Sequence, residues 1–339
     1  MALGGPIVGD LLQLGGTPLP LWASILLVVA ASGLVAVSAH WTVESAMRVA
    51  RDLGISGSLV GLTVVAAGTS APEFSVTLMA AFEGRGSISI GNVVGSNIFN
   101  LGFILGSVAL IKPLQTDPLI VWRDGSVLAV ATIALFAFVG MDLSLDRGEG
   151  LVLFAALILY LWYLVPSRRR FLEGSPPLVG EQTSRGDSLR PVAIDLVRLA
   201  GSLLMIVVAA QMLIYGGTSL ATSLGLSDWV IGVTIIAAGT SLPEFATSLA
   251  AVVKGRYGIS LGNIIGSDIF NVLGVLGLTG MIRTVEVEPA ATASLAGLCV
   301  MVLITLLFMR TGWRLSRREG LLLIALASVR WILDLAWRA

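Results

Sequence analysis

Residues 61–106 read GLTVVAAGTSAPEFSVTLMAAFEGRGSISIGNVVGSNIFNLGFILG, and residues 232–277 read GVTIIAAGTSLPEFATSLAAVVKGRYGISLGNIIGSDIFNVLGVLG. The two stretches align without a gap at a constant offset of 171 residues, and more than half of their positions are identical. Chance similarity between small residues of apolar helices does not explain a gapless match that includes Pro and Glu. The chain therefore contains two copies of one structural unit.

The composition around these copies is that of a membrane protein. Of the 339 residues, 56% are hydrophobic and only 12% are charged, whereas soluble domains carry about 25% charged residues; a soluble enzyme is excluded. The 21 basic and 21 acidic residues cancel, so we expect no nucleic-acid partner. Because the chain has a single cysteine, Cys299, and a single histidine, His40, we expect no cysteine or histidine metal centre and no cofactor.

Apolar runs of roughly 20 residues, enough to cross about 30 Å of hydrocarbon, predict ten transmembrane helices. They lie near 21–47, 57–82, 87–111, 117–140, 148–166, 191–224, 228–253, 258–281, 287–309 and 317–337. The Arg-, Gly- and Pro-containing segment 167–190 is typical of a flexible linker.

The linker divides the chain into residues 1–166 and 191–339, with five predicted spans each. Because five is an odd number, the second copy must enter the membrane with the opposite polarity to the first. We therefore predict an all-α membrane protein whose ten transmembrane helices form two five-helix inverted-topology repeats, with a substrate site near the midplane where the repeats meet.

The positions of Lys and Arg predict the orientation, because cytoplasmic loops hold the excess of both residues. With the N-terminus outside, 16 of the 21 basic residues fall in cytoplasmic loops or near the cytoplasmic ends of the predicted spans. We therefore expect both termini outside the cell, the linker 167–190 in the cytoplasm, and the protein in the inner (cytoplasmic) membrane.

Each repeat carries one acid near the middle of a span, Glu73 in GTSAPE and Glu244 in GTSLPE. A carboxylate at that depth costs a few kcal/mol, so such residues usually mark an ion or proton pathway. The alternative is a neutral carboxylic acid held by hydrogen bonds between helices. Two symmetric acids supply two negative charges, which matches one divalent cation.

The residues just before each acid are oxygen donors. Pro72 removes one backbone hydrogen bond and frees a carbonyl oxygen. On a continuous helix, Ala66, Thr69 and Glu73 share one face, and Ser70 lies about 60° away. Carbonyl, hydroxyl and carboxylate oxygens are the ligands that Ca2+ prefers; alternatively, the hydroxyls bond to their own helix. The second copy repeats the set as Ala237, Thr240, Ser241 and Glu244.

The third and eighth spans add amides and hydroxyls. Ser96 and Asn100 are four residues apart and share a helical face, as do Ser267 and Asn271. These side chains could complete an oxygen cage, or the asparagines could join helices to one another. Asp268 is the main asymmetry, because its counterpart is the neutral Asn97; it either faces the site or bonds to a neighbouring helix.

GTSAPE with GNVVGSNIFN, repeated as GTSLPE with GNIIGSDIFN, resembles the paired alpha repeats of the cation/Ca2+ exchanger superfamily, particularly its prokaryotic sodium/calcium exchangers. The resemblance implies an antiporter, not an enzyme, that exports Ca2+ in exchange for Na+ while the first and sixth helices slide against a rigid core. It implies that Glu73 and Glu244 chelate Ca2+. The Na+-site oxygens that it implies are the hydroxyls of Thr69, Ser70, Ser96, Thr240, Ser241 and Ser267 and the carbonyls of Ala66 and Ala237.

One departure from the family pattern leaves the counter-ion open. The last residue of the second motif is often Asp in the family, whereas Asn100 and Asn271 are both neutral here. An H+/Ca2+ antiporter that uses the same two glutamates is the nearest alternative. A passive channel is disfavoured, because channel filters usually form around the axis of an oligomer and not from inverted repeats. An intramembrane serine enzyme is disfavoured, because His40, the only histidine, lies in a different span from Ser70 and Ser241. We expect a minimal exchanger that functions as a monomer in the lipid bilayer.

Overall fold

The computed structural model describes residues 19–52, 57–82, 84, 86–164, 192–223, 237–287 and 289–336. Helices account for most of these residues, since a helix satisfies its backbone polar groups internally and can therefore lie in lipid. The helices are α1 (Leu21–Asp52), α2 (Gly57–Thr69), α3 (Ala71–Phe82), α4 (86–111), α5 (Ile120–Asp142), α6 (Arg147–Leu164), α7 (Val192–Ser223), α8 (Ala237–Thr240), α9 (Leu242–Val253), α10 (Tyr257–Ile282), α11 (Ala290–Arg310) and α12 (Arg317–Ala336).

The helix bounds follow the predicted spans to within a few residues wherever both can be compared. The predicted span 228–253 is described only from residue 237, and the predicted linker 167–190 lies outside the described residues. Six of the described helices are long and apolar enough to cross a bilayer, and the bent pair α2 and α3 would make a seventh if it forms one span. The protein is therefore a multi-pass helical membrane protein.

Two breaks interrupt the helices that carry the repeated GTS-PE motifs. The axes of α2 and α3 meet at 44°, and Ser70 between them has φ −78° and ψ 8°. Ser241, between α8 and α9, has nearly the same backbone conformation, with φ −87° and ψ 7°. Proline follows in the first turn of α3 and of α9, where its missing N–H breaks no helical bond.

The break at Ser70 corrects the predicted stripe of oxygen donors. Ala66 and Thr69 belong to α2, whereas Glu73 belongs to the first turn of α3. The three residues therefore do not lie along one continuous helix face. A site that uses all three must be built where two half-helices meet.

Wider π-helical turns occur at related positions in both repeats. One spans Asn100–Ile104 within α4, and another spans Phe270–Leu276 within α10. Such turns are uncommon and often accompany functional sites, because the extra residue changes which side chains face the helix neighbour. Both turns contain the asparagine at the end of the repeated motif.

Four two-residue strands lie between the helices of this predominantly helical protein. They are β1 (Leu114–Gln115), β2 (Ser144–Leu145), β3 (Val285–Glu286) and β4 (Arg314–Leu315). The antiparallel pairs are β1 with β4 and β2 with β3. Each pair therefore joins a loop that precedes residue 167 to a loop that follows residue 190.

The helices that bear the site approach one another closely at two glycines of α10. A Cβ at Gly262 would lie 2.6 Å from the carbonyl oxygen of Ser58, and a Cβ at Gly266 would lie 2.7 Å from that of Leu62. Only glycine fits these two positions without movement of the backbone, and small residues at such positions let helices approach closely. This contact holds the eighth predicted span against the helix that leads to Ser70.

Candidate cation-binding site

Two glutamates lie at the centre of the site. Glu73 and Glu244 have no solvent-exposed surface, and they occupy the first turns of α3 and α9. The free N–H groups of a helix N-terminus carry partial positive charge, which favours a carboxylate at that place. The two breaks therefore supply two half-helix N-termini, each with one buried acid.

The glutamates are hydrogen-bonded across the two repeats. Ser70 Oγ donates to Glu244 Oε1 at 3.0 Å, and Ser241 Oγ donates to Glu73 Oε1 at 3.0 Å. These bonds are equivalent under the 171-residue offset. Each serine thus contacts the acid of the other repeat, so the two breaks lie beside each other.

Several side-chain oxygens in this region have no hydrogen-bond donor among the described residues. All are buried and all are of the hard type that binds Na+ or Ca2+. These atoms are Glu73 Oε2, Glu244 Oε2, Ser96 Oγ, Asn100 Oδ1, Asp268 Oδ2 and Asn271 Oδ1. Because an unpaired buried carboxylate oxygen is costly, such a set fits a bound cation better than a purely structural network.

The neighbouring hydroxyl and carbonyl groups surround Glu244. Ser267 Oγ lies 3.3 Å from Glu244 Oε1 and 3.5 Å from the carbonyl oxygen of Ala66. Thr69 Oγ1 is 3.1 Å from Asn263 Oδ1, and the Ala66 carbonyl also accepts the backbone N–H of Ser70 at 3.0 Å. The structure thus brings these predicted ligands together.

The second-repeat members of the predicted set are described in less detail. Thr240 is fully buried at the end of α8, one residue before the break. Ala237 is the first residue of α8. Their positions in the chain match those of Thr69 and Ala66 in α2.

Two asparagines at equivalent places of the repeated motif hold the glutamate backbones. Asn92 Nδ2 lies 3.4 Å from the carbonyl oxygen of Glu73 and 3.1 Å from Thr77 Oγ1. Asn263 Nδ2 lies 3.3 Å from the carbonyl oxygen of Glu244 and 3.0 Å from Ser248 Oγ. The signal for them was their identical place in the repeated motif, but a single motif does not distinguish such an anchor from a helix-joining amide.

The kinds of side chain in the site indicate which ions it can bind. In the described parts of the chain, no three His, Cys, Asp or Glu side chains cluster as a metal centre would require. The two glutamates, Asp268 and the neighbouring neutral oxygens are nevertheless all hard ligands of the kind that Ca2+ prefers.

Known proteins of similar sequence are membrane proteins and ion exchangers. A family model described as "Sodium/calcium exchanger protein" matches residues 23–165 and 194–329. The inner membrane protein YrbG of Escherichia coli is 34% identical over 94% of this chain and 98% of its own length. The sodium/calcium exchanger MaX1 of Methanosarcina acetivorans is 32% identical over 83% of this chain and 90% of its own length.

Among solved structures, the sodium-calcium exchanger NCX_Mj soaked with 10 mM Na+ and no Ca2+ is similar throughout. The TM-score is 0.78 at 31% sequence identity, and the match covers 91% of this chain and 98% of that one. The likeness therefore extends over both repeats.

Proposed function

The chain belongs to the sodium/calcium exchanger protein family, and from this membership we propose that it exports Ca2+ across the cytoplasmic membrane in exchange for Na+. The observation that carries the proposal is the pair of buried glutamates, each with one carboxylate oxygen bonded to a serine of the other repeat and one oxygen without a described partner. Two negative charges at one place suit a divalent cation, and the same oxygens suit Na+ when Ca2+ is absent.

In this proposal Glu73 and Glu244 bind Ca2+ together with Thr69, Thr240 and the backbone oxygens of Ala66 and Ala237. Na+ uses overlapping oxygens, so the site holds one kind of ion at a time. The additional Na+ ligands are Ser70, Ser96, Asn100, Ser241, Ser267 and Asn271. The chemistry is binding and release alone, without any covalent step and without a cofactor.

The proposed architecture is ten transmembrane helices in two inverted repeats, 1–166 and 191–339, joined by a cytoplasmic linker 167–190. The strand pairs support it, because β1 and β4 occupy loops predicted on the cytoplasmic side, whereas β2 and β3 occupy loops predicted outside. The two segments matched by the family model also flank the linker. N- and C-termini then lie outside the cell, and one chain contains a complete site.

Alternating access requires that one part of the molecule move against another. Helices α1 and α7 pack along each other and are joined by Thr42 Oγ1 to Ser202 Oγ at 3.0 Å and by Arg48 Nε to Asp195 Oδ1 at 2.8 Å. These bonds support their movement as one unit. A bound ion can favour the movement only if it binds the two end states with different affinity.

The test is uptake of radioactive Ca2+ into proteoliposomes loaded with Na+ and diluted into Na+-free buffer. We expect uptake that depends on the Na+ gradient and is abolished in Glu73→Gln and Glu244→Gln. Glu286→Gln is the matched control, because Glu286 is an exposed acid on strand β3. Normal uptake by either site variant would refute the assignment of the glutamates.

The same vesicles distinguish the counter-ions. Vesicles loaded with choline and given a pH gradient should take up no Ca2+ if Na+ is the coupled ion. Uptake driven by the pH gradient alone would replace Na+ by H+ in the proposal. Ca2+ flux that persists without any counter-ion would identify a channel.

A further inference from the structure

The two repeats differ in charge at one buried position next to the proposed site. Asp268 occupies the place that Asn97 occupies in the first repeat. Together with Asn100 and Asn271, these residues form a group that we call the amide–carboxyl cluster, and all four side chains are completely buried. The cluster therefore adds one carboxyl group to a region that already contains two glutamates.

Hydrogen bonds across the repeats join the members of the cluster. Asn100 Nδ2 donates to Asp268 Oδ1 at 2.9 Å, and the equivalent bond runs from Asn271 Nδ2 to Asn97 Oδ1 at 3.0 Å. Asn97 Nδ2 also donates to the backbone carbonyl of Asp268 at 3.2 Å. The four residues thus form one hydrogen-bonded group between α4 and α10, in which the backbone carbonyl of Asp268 links the two side-chain pairs.

These bonds do not explain the charge of Asp268. The equivalent bond in the other half of the cluster uses the neutral amide oxygen of Asn97, so an amide at position 268 could accept from Asn100 equally well. A carboxylate in a buried place without further partners is unfavourable compared with that amide. The carboxyl group therefore needs a role besides helix joining.

The unused oxygens of the cluster indicate what that role is. Asp268 Oδ2, Asn100 Oδ1 and Asn271 Oδ1 have no donor among the residues that the structure describes. One carboxylate oxygen and two amide oxygens are hard ligands that carry a single negative charge, which suits a monovalent cation such as Na+ rather than Ca2+. The glutamate pair, by contrast, carries the double charge that suits a divalent ion.

The cluster also adjoins the glutamate site. Asp268 follows Ser267, whose hydroxyl lies 3.3 Å from Glu244 Oε1. We propose that the amide–carboxyl cluster is a separate Na+ position in which Asp268 supplies the charge, filled when Na+ replaces Ca2+ at the glutamates. This inference rests on the proposed function, since it names the second place that the counter-ion occupies.

Asp268→Asn tests the proposal with a small change, because it gives position 268 the residue that the first repeat already has. The first measurement is equilibrium binding of radioactive Ca2+ to the purified protein during a Na+ titration at constant ionic strength with choline. We expect Ca2+ affinity without Na+ to stay within about threefold of the wild type, and the Hill coefficient for Na+ competition to fall by about 1.

The second measurement is equilibrium binding of radioactive Na+ without Ca2+, which counts Na+ sites directly. Asp268→Asn should bind one Na+ fewer per chain than the wild type. This count does not depend on Ca2+ binding, so it tests the cluster even if the wild type binds no Ca2+ and the proposed function fails.

The matched control is the double variant Asn97→Asp/Asp268→Asn, which moves the carboxyl group to the equivalent position beside Asn271. It should recover the wild-type Na+ count if the cluster as a whole binds the ion. An unchanged Na+ count in Asp268→Asn would overturn the proposal. Loss of Ca2+ binding together with Na+ binding would also overturn it, because Asp268 would then serve the same ion site as the glutamates.

Discussion

The hydroxyl of Ser70 donates to Glu244 across the two repeats at 3.0 Å, although the two residues are 174 positions apart in the chain. The equivalent bond from Ser241 to Glu73 has the same length. Each repeat therefore supplies the donor for the acid of the other repeat. Neither half of the chain contains a complete site.

Removal of either serine hydroxyl should consequently weaken ion binding at the opposite glutamate. A hydrogen bond to a charged group contributes about 1.5–3 kcal/mol, so Ser70→Ala and Ser241→Ala should each lower Ca2+ affinity roughly tenfold or more. Equilibrium binding of radioactive Ca2+ measures the effect. Thr132→Ala is the control, because Thr132 is equally buried but donates to the carbonyl of Leu128 in its own helix. Wild-type Ca2+ affinity in both serine variants would contradict a role of these two serine–glutamate bonds in ion binding.

The two serine–glutamate bonds between the repeats could not be predicted from the sequence. The repeat and the proline before each glutamate could be recognised in the sequence, because both are local features of the chain. The placement of Ser70 beside Glu244 depends on how the two repeats pack, and no local pattern contains that information. The interpretation of Ala66, Thr69 and Glu73 as one stripe was wrong because the break at Ser70 changes the helix direction.

The strands and the asparagine anchors were missed for a related reason. Strand β1, Leu114–Gln115, has only two residues, too few for an alternating apolar pattern. Its partner, β4, lies far along the chain, at Arg314–Leu315. Asn92 and Asn263 lie in a motif that suits either a ligand or a helix-joining amide, and only their distances to the glutamate carbonyls decide between the two.

Asn263 should position Glu244 through the backbone. Asn263→Ala removes the donor to the Glu244 carbonyl at 3.3 Å, the donor to Ser248 Oγ at 3.0 Å and the acceptor of the Thr69 hydroxyl at 3.1 Å. We expect the free energy of unfolding to fall by about 1–3 kcal/mol, with slower Ca2+ uptake, because buried acceptors lose their partner. Asn92→Ala should likewise lower the free energy of unfolding and slow Ca2+ uptake, because it removes the donor to the Glu73 carbonyl.

Thermal unfolding in detergent and vesicle uptake provide the measurements for these two variants. Ser248→Ala is the matched comparison, since it removes only one acceptor and leaves the bond to the Glu244 carbonyl. It should slow uptake less than Asn263→Ala. Equal uptake by Asn263→Ala and the wild type would show that the backbone anchor is dispensable.

The close contact between α10 and α2 should tolerate no added methyl group. In Gly266→Ala the new Cβ would lie 2.7 Å from the carbonyl oxygen of Leu62 and 2.8 Å from Ala66 Cβ. The helices must then separate, so we expect a loss of about 1–3 kcal/mol of stability and reduced Ca2+ affinity through displacement of Ala66 and Ser267. Gly140→Ala is the control, because among the described residues no atom beyond its chain neighbours and its own helix backbone lies within 4 Å of the place that its new Cβ would take. A Gly266→Ala protein that melts and binds Ca2+ like the Gly140→Ala protein would refute the contact.

The contacts at the two ends of the α1 and α7 pair should contribute unequally to the free energy of unfolding. Arg48 pairs with the nearly buried Asp195 at 2.8 Å, whereas the other end of the pair holds Ser219 and Ser24, whose hydroxyls are 3.1 Å apart. Asp195→Asn should cost about 2 kcal/mol of unfolding free energy, less than for a fully buried ion pair because Arg48 is partly exposed. Ser24→Ala should cost about 1 kcal/mol or less.

Thermal unfolding of both variants, with Arg48→Gln and the double variant Arg48→Gln/Asp195→Asn, separates the ion pair from other effects. The double variant should be little worse than either single variant, since each removes the same interaction. Additive losses would instead mean that Arg48 acts through Glu44, which lies 3.7 Å away on its own helix. Because the proposed exchange moves α1 and α7 together, a true loss of the ion pair should slow Na+-dependent Ca2+ uptake more than Ser24→Ala does, while equilibrium Ca2+ binding at the glutamates stays unchanged.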